Sequence, residues 1–283
     1  MAAITRLKQE IQFNTQLTRL LDALKAIASQ QFQMLEPTIK TNQTFFESVE
    51  RIAGTFDLEH VQHPFTKSSG PMGVIIITSD TGLLGGLNQQ VVTTALQEYV
   101  RKPGELMVVG ERGMMYIREQ RLSAKLFPNP LEHGRQTVAA QLRDYALNRV
   151  LSGALGSLTV VYPHALSFTL QRVELVRMLP CVEWFQTDAP PSRGVRSGPV
   201  LLESPLPATL EYLAWLWVGQ KLFDVLGWSR LAELAARSVH LEGSSQELQR
   251  RGKKLLQRYF RERREIIDRN IRELFAARSL YGK

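Results

Sequence analysis

The 283-residue sequence contains a single cysteine, Cys181, so no intramolecular disulfide can staple the chain and its stability must come from an apolar core. That usage fits a reducing, cytoplasmic setting. Histidines are few and scattered (His60, His63, His133, His164, His240); His60 and His63, three residues apart, supply at best half of a metal site, and no metal is expected. Long apolar runs are also missing. The longest apolar segment, residues 210–228, is broken by Glu211, Gln220, Lys221 and Asp224, which suits a packed amphipathic helix better than a membrane span. The first twelve residues, MAAITRLKQEIQ, lack the continuous apolar centre of a secretion signal.

Nucleotide and nucleophile signatures are absent as well. A phosphate loop needs a lysine after its last glycine, and no lysine occurs between Lys67 and Lys102, where the only glycine-rich turn lies. Gly82, Gly85 and Gly86 have the wrong spacing for the dinucleotide pattern G-x-G-x-x-G. No G-x-S-x-G elbow exists, and Ser79 beside Asp80 has no local histidine to serve as base. No cofactor and no catalytic residue are expected. Asp80 is expected to order its own turn through backbone amides.

Proline is scarce at both ends, and there two long helices are written. From about residue 3 to residue 56 only Pro37 interrupts, and apolar residues recur at spacings of three and four: Ile4, Leu7, Ile11, Leu17, Leu21, Leu24, Ile27, Ala28, Phe32, Leu35. The last fifty residues form a second rod of roughly 75 Å at 1.5 Å per residue, too long to stand alone with an apolar stripe. Its seam runs through Leu241, Ser245, Leu248, Gly252, Leu255, Tyr259, Glu262 and Ile266, alternating steps of four and three as a coiled coil requires. The two terminal rods are the natural partners of one another.

Between them the pattern changes abruptly after a Pro-, Ser- and Gly-rich stretch at residues 63–73. The run GVIIIT at 73–78 reads as a strand buried on both faces, followed by the turn Ser79-Asp80-Thr81-Gly82-Leu83-Leu84-Gly85-Gly86-Leu87-Asn88 and a helix to about Arg101. Two more strand–helix units follow at 106–120 and 123–151, and strands at 158–162 and 168–178 joined by a short turn make an antiparallel hairpin. The expected fold is thus α/β: a Rossmann-like sheet domain inserted between long N- and C-terminal helices that form an antiparallel coiled coil. The expected boundaries are 1–58 for the N-terminal coiled-coil helix, 72–180 for the α/β domain, 181–206 for a loop and 207–283 for C-terminal helices, with interruptions near Gly227 and Gly243 and the coiled-coil half from about 231.

The net charge is +8, and its distribution is uneven. Between Glu247 and Glu273 ten cations (Arg250, Arg251, Lys253, Lys254, Arg258, Arg261, Arg263, Arg264, Arg269, Arg272) face five acids. A solvated helix face, a nucleic-acid footprint and a surface for an acidic protein partner all fit that run. Nucleic acid would call for interleaved aromatics, of which only Tyr259 and Phe260 are near.

Three stretches carry a resemblance to a known family. LDALKAIASQQ at 21–31 is similar to the segment I-T-K-A-M-x-M-V-A-A-S-K, TSDTGLLGGLN at 78–88 to the turn S-D-x-G-L-C-G-G-x-N, and ELAAR at 233–237 with residues 259–274 to E-x-A-A-R and Y-N-x-x-R-Q-x-x-I-T-x-E-I. All belong to the gamma subunit of F-type ATP synthases, which this chain resembles over nearly its whole length. The resemblance implies a non-catalytic rotary central-stalk subunit that couples ion-driven rotation of a c-ring to conformational cycling of the beta catalytic sites. It implies one copy per complex, an alpha and beta 3:3 ring, epsilon and the c-ring as partners, and no nucleic acid. It implies a peripheral place at the cytoplasmic face of the plasma membrane, with the thylakoid as the other setting, and contacts to the ring at Leu24, Arg263, Arg264 and Ile267, with Ser79, Asp80, Gly82, Gly85, Gly86 and Asn88 as a structural turn. The reading apart from the family is a coiled-coil scaffold or nucleic-acid-binding protein using the basic C-terminal helix. Departures from the motifs stand at Leu24, Gln31, Arg264, Asp268 and Asn270. They imply a divergent member, of the kind a variant sodium-type complex would contain; the coupling ion binds the c-ring and is not legible in this chain.

Overall fold

The computed structural model describes residues 2–39, 43–54, 56, 62–66, 69–130, 134–181 and 203–281. Most of the expected 181–206 loop lies outside the described residues, as do His60 and His133. In chain order the elements are α1 (Ala2–Leu35), a 3-10 turn (Glu36–Thr38), α2 (Gln43–Ala53), β1 (Met72–Ile77), α3 (Leu87–Arg101), β2 (Glu105–Val109), α4 (Glu111–Glu119), β3 (Lys125–Phe127), α5 (Arg135–Leu151), β4 (Ser157–Ala165), β5 (Gln171–Leu179) and α6 (Leu206–Tyr281). They divide into two compact units. One comprises Met1–Gln30 with Arg237–Lys283, the other Gln31–Ala236.

The larger unit is built on a five-stranded sheet of order β3-β2-β1-β4-β5, parallel except for β5, which runs antiparallel to β4. β1 is buried along its whole length because it is central and covered on both faces. Its alternate side chains face different cores. Ile75 and Ile77 join Met107, Val109, Leu158 and Val160 against α2, α5 and the first turns of α6. Val74 and Ile76 join Leu106, Val108 and Val161 against α3 and α4. The helices present matching stripes, Val138, Leu142 and Ala146 on α5 and Val91, Val92 and Ala95 on α3, at helical spacing. A three-layer arrangement of this kind is what alternating strands and helices in the sequence foretold.

Two expectations about the helices need correction. The N-terminal segment is not one rod to residue 56: α1 ends at Leu35, the chain tightens through Glu36–Thr38, and α2 turns its Phe46, Val49 and Ala53 into the core of the larger unit. Pro37 is the cause, since proline has no N–H to offer and its ring crowds the carbonyl one turn back. The C-terminal part, by contrast, is uninterrupted. α6 runs through Gly227 and Gly243 for 76 residues. A helical glycine costs only about 1 kcal/mol, and burial of Leu222, Val225, Leu226, Leu231 and Ala232 around Gly227 outweighs it. At Gly227 the missing side chain is also used, because a Cβ there would stand 2.3 Å from Arg135 Nη1. The Arg135 guanidinium stacks 3.8 Å over the Phe223 ring, and its burial pulls its pKa below the usual arginine range.

The β4–β5 hairpin carries a charged cluster. Tyr162 donates its hydroxyl to Glu174 Oε2 at 2.8 Å, and Arg172 reaches Oε1 through Nε at 2.8 Å and Nη2 at 2.6 Å. His164 Nδ1 stands 2.9 Å from Oε2, and its ring lies 4.6 Å from that of Trp228 on α6. Burial opposes the charge on Glu174, but the contacts from His164, Tyr162 and Arg172 outweigh it and hold the pKa down to about 2. Burial and the bond to Glu174 push the Tyr162 phenol above its ordinary range. Because the folded pKa of Glu174 is depressed, the unfolded chain binds more protons between about pH 4.5 and pH 2, and the stabilisation present above that window is lost as pH falls through it. Urea unfolding of the larger unit is expected to show a loss on the order of 2 kcal/mol between pH 5 and pH 2.5 attributable to this group; Glu174→Gln should lose that part of the slope, and an unchanged slope in the variant would contradict the assignment.

Candidate functional site

The turn after β1 and the paired helices were the two groups of residues the sequence marked, and they fall in separate compact units. In the turn, every predicted residue has a defined place. Asn88, buried on the first turn of α3, donates from Nδ2 to Ser79 Oγ at 2.8 Å and accepts the Ser79 N–H on Oδ1 at 3.2 Å. Ser79 Oγ in turn donates to the Thr81 carbonyl at 2.7 Å, closing the loop on itself. Gly85 (φ 59°) and Gly86 (φ 93°) take left-handed backbone, which glycine adopts without steric cost. Leu83 shares that conformation at φ 67°.

Asp80 does something the sequence did not reveal. Rather than ordering its own turn, it accepts the Glu111 N–H at 2.9 Å and so caps the start of α4. Thr78 ties the same two connections together: its hydroxyl donates to the Val109 carbonyl at 2.7 Å and accepts the Gly113 N–H at 3.0 Å. That approach requires Gly110 and Gly113, since a Cβ would fall 2.4 Å from Thr78 O at the first and 2.3 Å from Thr78 Oγ1 at the second. Gly82 lies against the Arg112 guanidinium. Leu84 and Leu87 then pack on Leu231, Ala232 and Ala235 of α6, and the buried Glu233 carboxylate receives Arg230 at 2.9 Å and Thr81 Oγ1 at 3.5 Å. The turn therefore splices two βα connections to α6, and its polar groups are consumed by that splice. Among the described residues, no three His, Cys, Asp or Glu are grouped to hold a metal ion.

In the smaller unit α1 and α6 lie antiparallel. Ser29 Oγ and Ser238 Oγ are 2.8 Å apart, Lys25 Nζ reaches Glu242 Oε2 at 2.6 Å, and Ser245 Oγ donates to Asp22 Oδ1 at 2.6 Å. Steps of four and three residues backward on α1 are matched by four and three forward on α6, which fixes opposite chain directions. The Lys25 ammonium is raised in pKa and the Glu242 carboxylate lowered by their mutual hydrogen bond. From Leu241 to Ile266 each predicted seam residue is buried or half-buried while most flanking positions are exposed. On α1 the stripe is shifted: Ile27 is half exposed, and Asn14, which the apolar count passed over, is buried.

Past Ile266 the apolar side chains of α6 are exposed among the described residues. The same register places the start of α1 level with this point, and Ile267 (45% exposed), Ile271, Leu274 (70%) and Phe275 (67%) stand open. Arg263 and Arg264 are exposed beside them, and Leu24 is half-buried in the paired region. Of the four predicted contact residues, three thus lie together near the free end of α6 and Leu24 lies apart, well down the paired stretch. No helix among the described residues is long and apolar enough to cross a membrane.

Comparison with known proteins agrees with this geometry. A family model described as ATP synthase matches residues 3–279. The chain is 25% identical over 281 residues to the ATP synthase gamma chain of Clostridium acetobutylicum and 23% identical over 285 residues to that of Clostridium beijerinckii, each covering 96% of both chains. Among solved structures, its fold is similar to a chain of the Euglena gracilis mitochondrial ATP synthase rotor, with a TM-score of 0.68, 17% identity and coverage of 94% of this chain and 99% of that one. A chain of the Tetrahymena thermophila mitochondrial ATP synthase central stalk and c-ring aligns at a TM-score of 0.59 and 19% identity, covering 80% and 99%. An α/β unit with paired terminal helices, matched along almost its full length by one family model, places this chain in the ATP synthase family as a gamma chain, a non-catalytic subunit of the central stalk.

Proposed function

We infer that the paired helices of α1 and α6 are the shaft of a rotary ATP synthase, one copy standing within a ring of three alpha and three beta subunits. The observation that carries this reading is the free end of α6: an apolar surface of Ile267, Ile271, Leu274 and Phe275, flanked by Arg263 and Arg264 and exposed among the described residues. Exposed apolar groups in such number mark a surface that another protein covers. In this reading Arg263, Arg264, Ile267 and Leu24 meet the ring, epsilon and the c-ring contact the α/β unit, and the complex holds the chain peripherally at the cytoplasmic face of the plasma membrane.

The shaft does no bond chemistry. An asymmetric rod turning inside a ring touches each beta subunit differently at each angle, and a contact that differs between two conformations shifts their populations by its differential free energy. Arginines suit this task because they remain charged at all working pH values and attract acidic loops over about a Debye length, which speeds encounter more than it strengthens the final contact. The alternative of a nucleic-acid binder finds no support in the relatives; of the two aromatics near the basic run, Tyr259 is half-buried in the seam and Phe260 is exposed.

Co-expression with the alpha and beta subunits is expected to yield a complex with a 1:3:3 ratio, and a chain that stays alone in their presence would overturn the assignment. Leu255, 5% exposed in the seam, tests the rod itself: Leu255→Asp should cost on the order of 3 kcal/mol by burying an unpaired charge, lowering complex yield and coupled ATP synthesis together. Arg263→Glu with Arg264→Glu should instead leave the unfolding free energy of the free chain within about 0.5 kcal/mol of the parent while reducing coupled synthesis several-fold. Normal coupling in that double variant would remove these arginines from the contact with the ring.

A further inference from the structure

The seam of the smaller unit holds a polar residue whose position the shaft reading does not explain. Asn14 is only 7% exposed, and its Nδ2 donates to the Leu248 carbonyl oxygen of α6 at 2.9 Å. That carbonyl already serves the helix ladder of α6, so the amide must approach the helix backbone closely to share it. Gly252 makes the approach feasible: a Cβ there would lie 2.9 Å from Asn14 Nδ2, closer than a carbon normally stands. Apolar packing at this level is sparse, with a cavity of about 50 Å³ between Phe13, Leu17, Leu248 and Arg251. A mid-helix glycine weakens its helix and a seam asparagine weakens its coiled coil. Their meeting at one level indicates that each is kept for the other.

The reason lies in the repeat. Leu241, Leu248 and Leu255 recur every seven residues, so sliding α6 by seven past α1 returns leucine to the place of leucine and costs little apolar contact. At Asn14 the degeneracy is broken. The residues seven before and seven after Gly252 are Ser245 and Tyr259, and both carry side chains where Asn14 needs a gap. A slip in either direction leaves a buried amide without its acceptor, the costly state for a polar group. We propose that Asn14 and Gly252 form a register lock: positioning residues that hold the two helices of the shaft at one axial offset so that twisting does not make them slide past one another. In a two-stranded coil, winding or unwinding the pair displaces one strand along the other unless a contact pins them. The polar contacts at Ser29–Ser238, Lys25–Glu242 and Asp22–Ser245 pin one stretch, and Asn14–Gly252 pins the pair further along α1. The role in torque transmission rests on the shaft reading; the lock on register does not.

Disulfide trapping in the full chain, with Cys181→Ala as background, separates the two. Leu7→Cys with Tyr259→Cys reports the native register, Leu7→Cys with Ile266→Cys a slip of seven, and the helical content by circular dichroism checks that the chain still folds. In the parent the slipped pair should stay close to background. Asn14→Ala combined with Gly252→Ala fills the notch, favours the helix and removes the bond, and should raise the slipped product roughly fivefold or more at an unchanged or higher melting temperature. Equal slipped yield in parent and variant would overturn the lock. If the double variant loses helical content, Asn14→Ala alone is decided by the same comparison. A separate arm assembles parent and variant with alpha and beta subunits: retained ATP hydrolysis with several-fold weaker coupled synthesis supports the torque role, and unchanged coupling despite increased slip would overturn it. Failure of the parent to assemble would count against the shaft reading and leave the trapping result standing.

Discussion

The antiparallel pairing of α1 with α6 is the interaction on which the rest depends. Neither helix can bury its stripe within itself, and isolated helices of this composition gain most of their stability from an apolar neighbour rather than from propensity. The seam from Leu241 to Ile266 supplies that neighbour, but its apolar content is modest. Serines, an aspartate, a lysine–glutamate pair and an asparagine alternate with the leucines. Such a seam trades some apolar adhesion for a defined offset, because hydrogen-bonded partners tolerate no slip whereas leucines tolerate one heptad.

In the larger unit the same logic of consumed polar groups is visible. The turn from Ser79 to Asn88 has the glycines and hydroxyls that could suggest a ligand cradle, yet its donors and acceptors are directed inward: Ser79 to Asn88 and Thr81, Asp80 to the start of α4, Thr78 to Val109 and Gly113. Glycines at 110 and 113 let the strand ends approach so closely that side chains are excluded. The outcome is a rigid junction between two βα connections and the Leu231–Ala236 stretch of α6. A shaft subunit without chemistry of its own needs stiffness there rather than an open site, and the splice supplies it.

The hairpin cluster adds a second fixed point on α6. Glu174 gathers Tyr162, Arg172 and His164, the last of which meets Trp228, so a carboxylate that burial would otherwise neutralise stays ionised and orders three side chains. Burial of a charge is tolerated where it is fully paired and hydrogen-bonded.

How much of this was written in the sequence follows from the range of each interaction. Local periodicity determined the class of fold: GVIIIT could only be a strand covered on both faces, the alternation after it could only build a mainly parallel sheet, and the four-three spacing from Leu241 to Ile266 named the seam residue by residue. The motif at 78–88 and its companions identified the family, and the turn lacks the lysine that a phosphate loop carries. Tertiary structure alone decided the rest. That Pro37 ends α1 while Gly227 and Gly243 do not interrupt α6 depended on what each stretch packs against, since a proline beyond the first turn has no N–H for the helix ladder whereas a glycine can be outweighed by burial. That Asp80 caps α4, thirty residues away, and that Asn14 faces Gly252 across the seam could not be read locally, because a side chain's hydrogen-bond partner is set by which backbone the fold brings beside it.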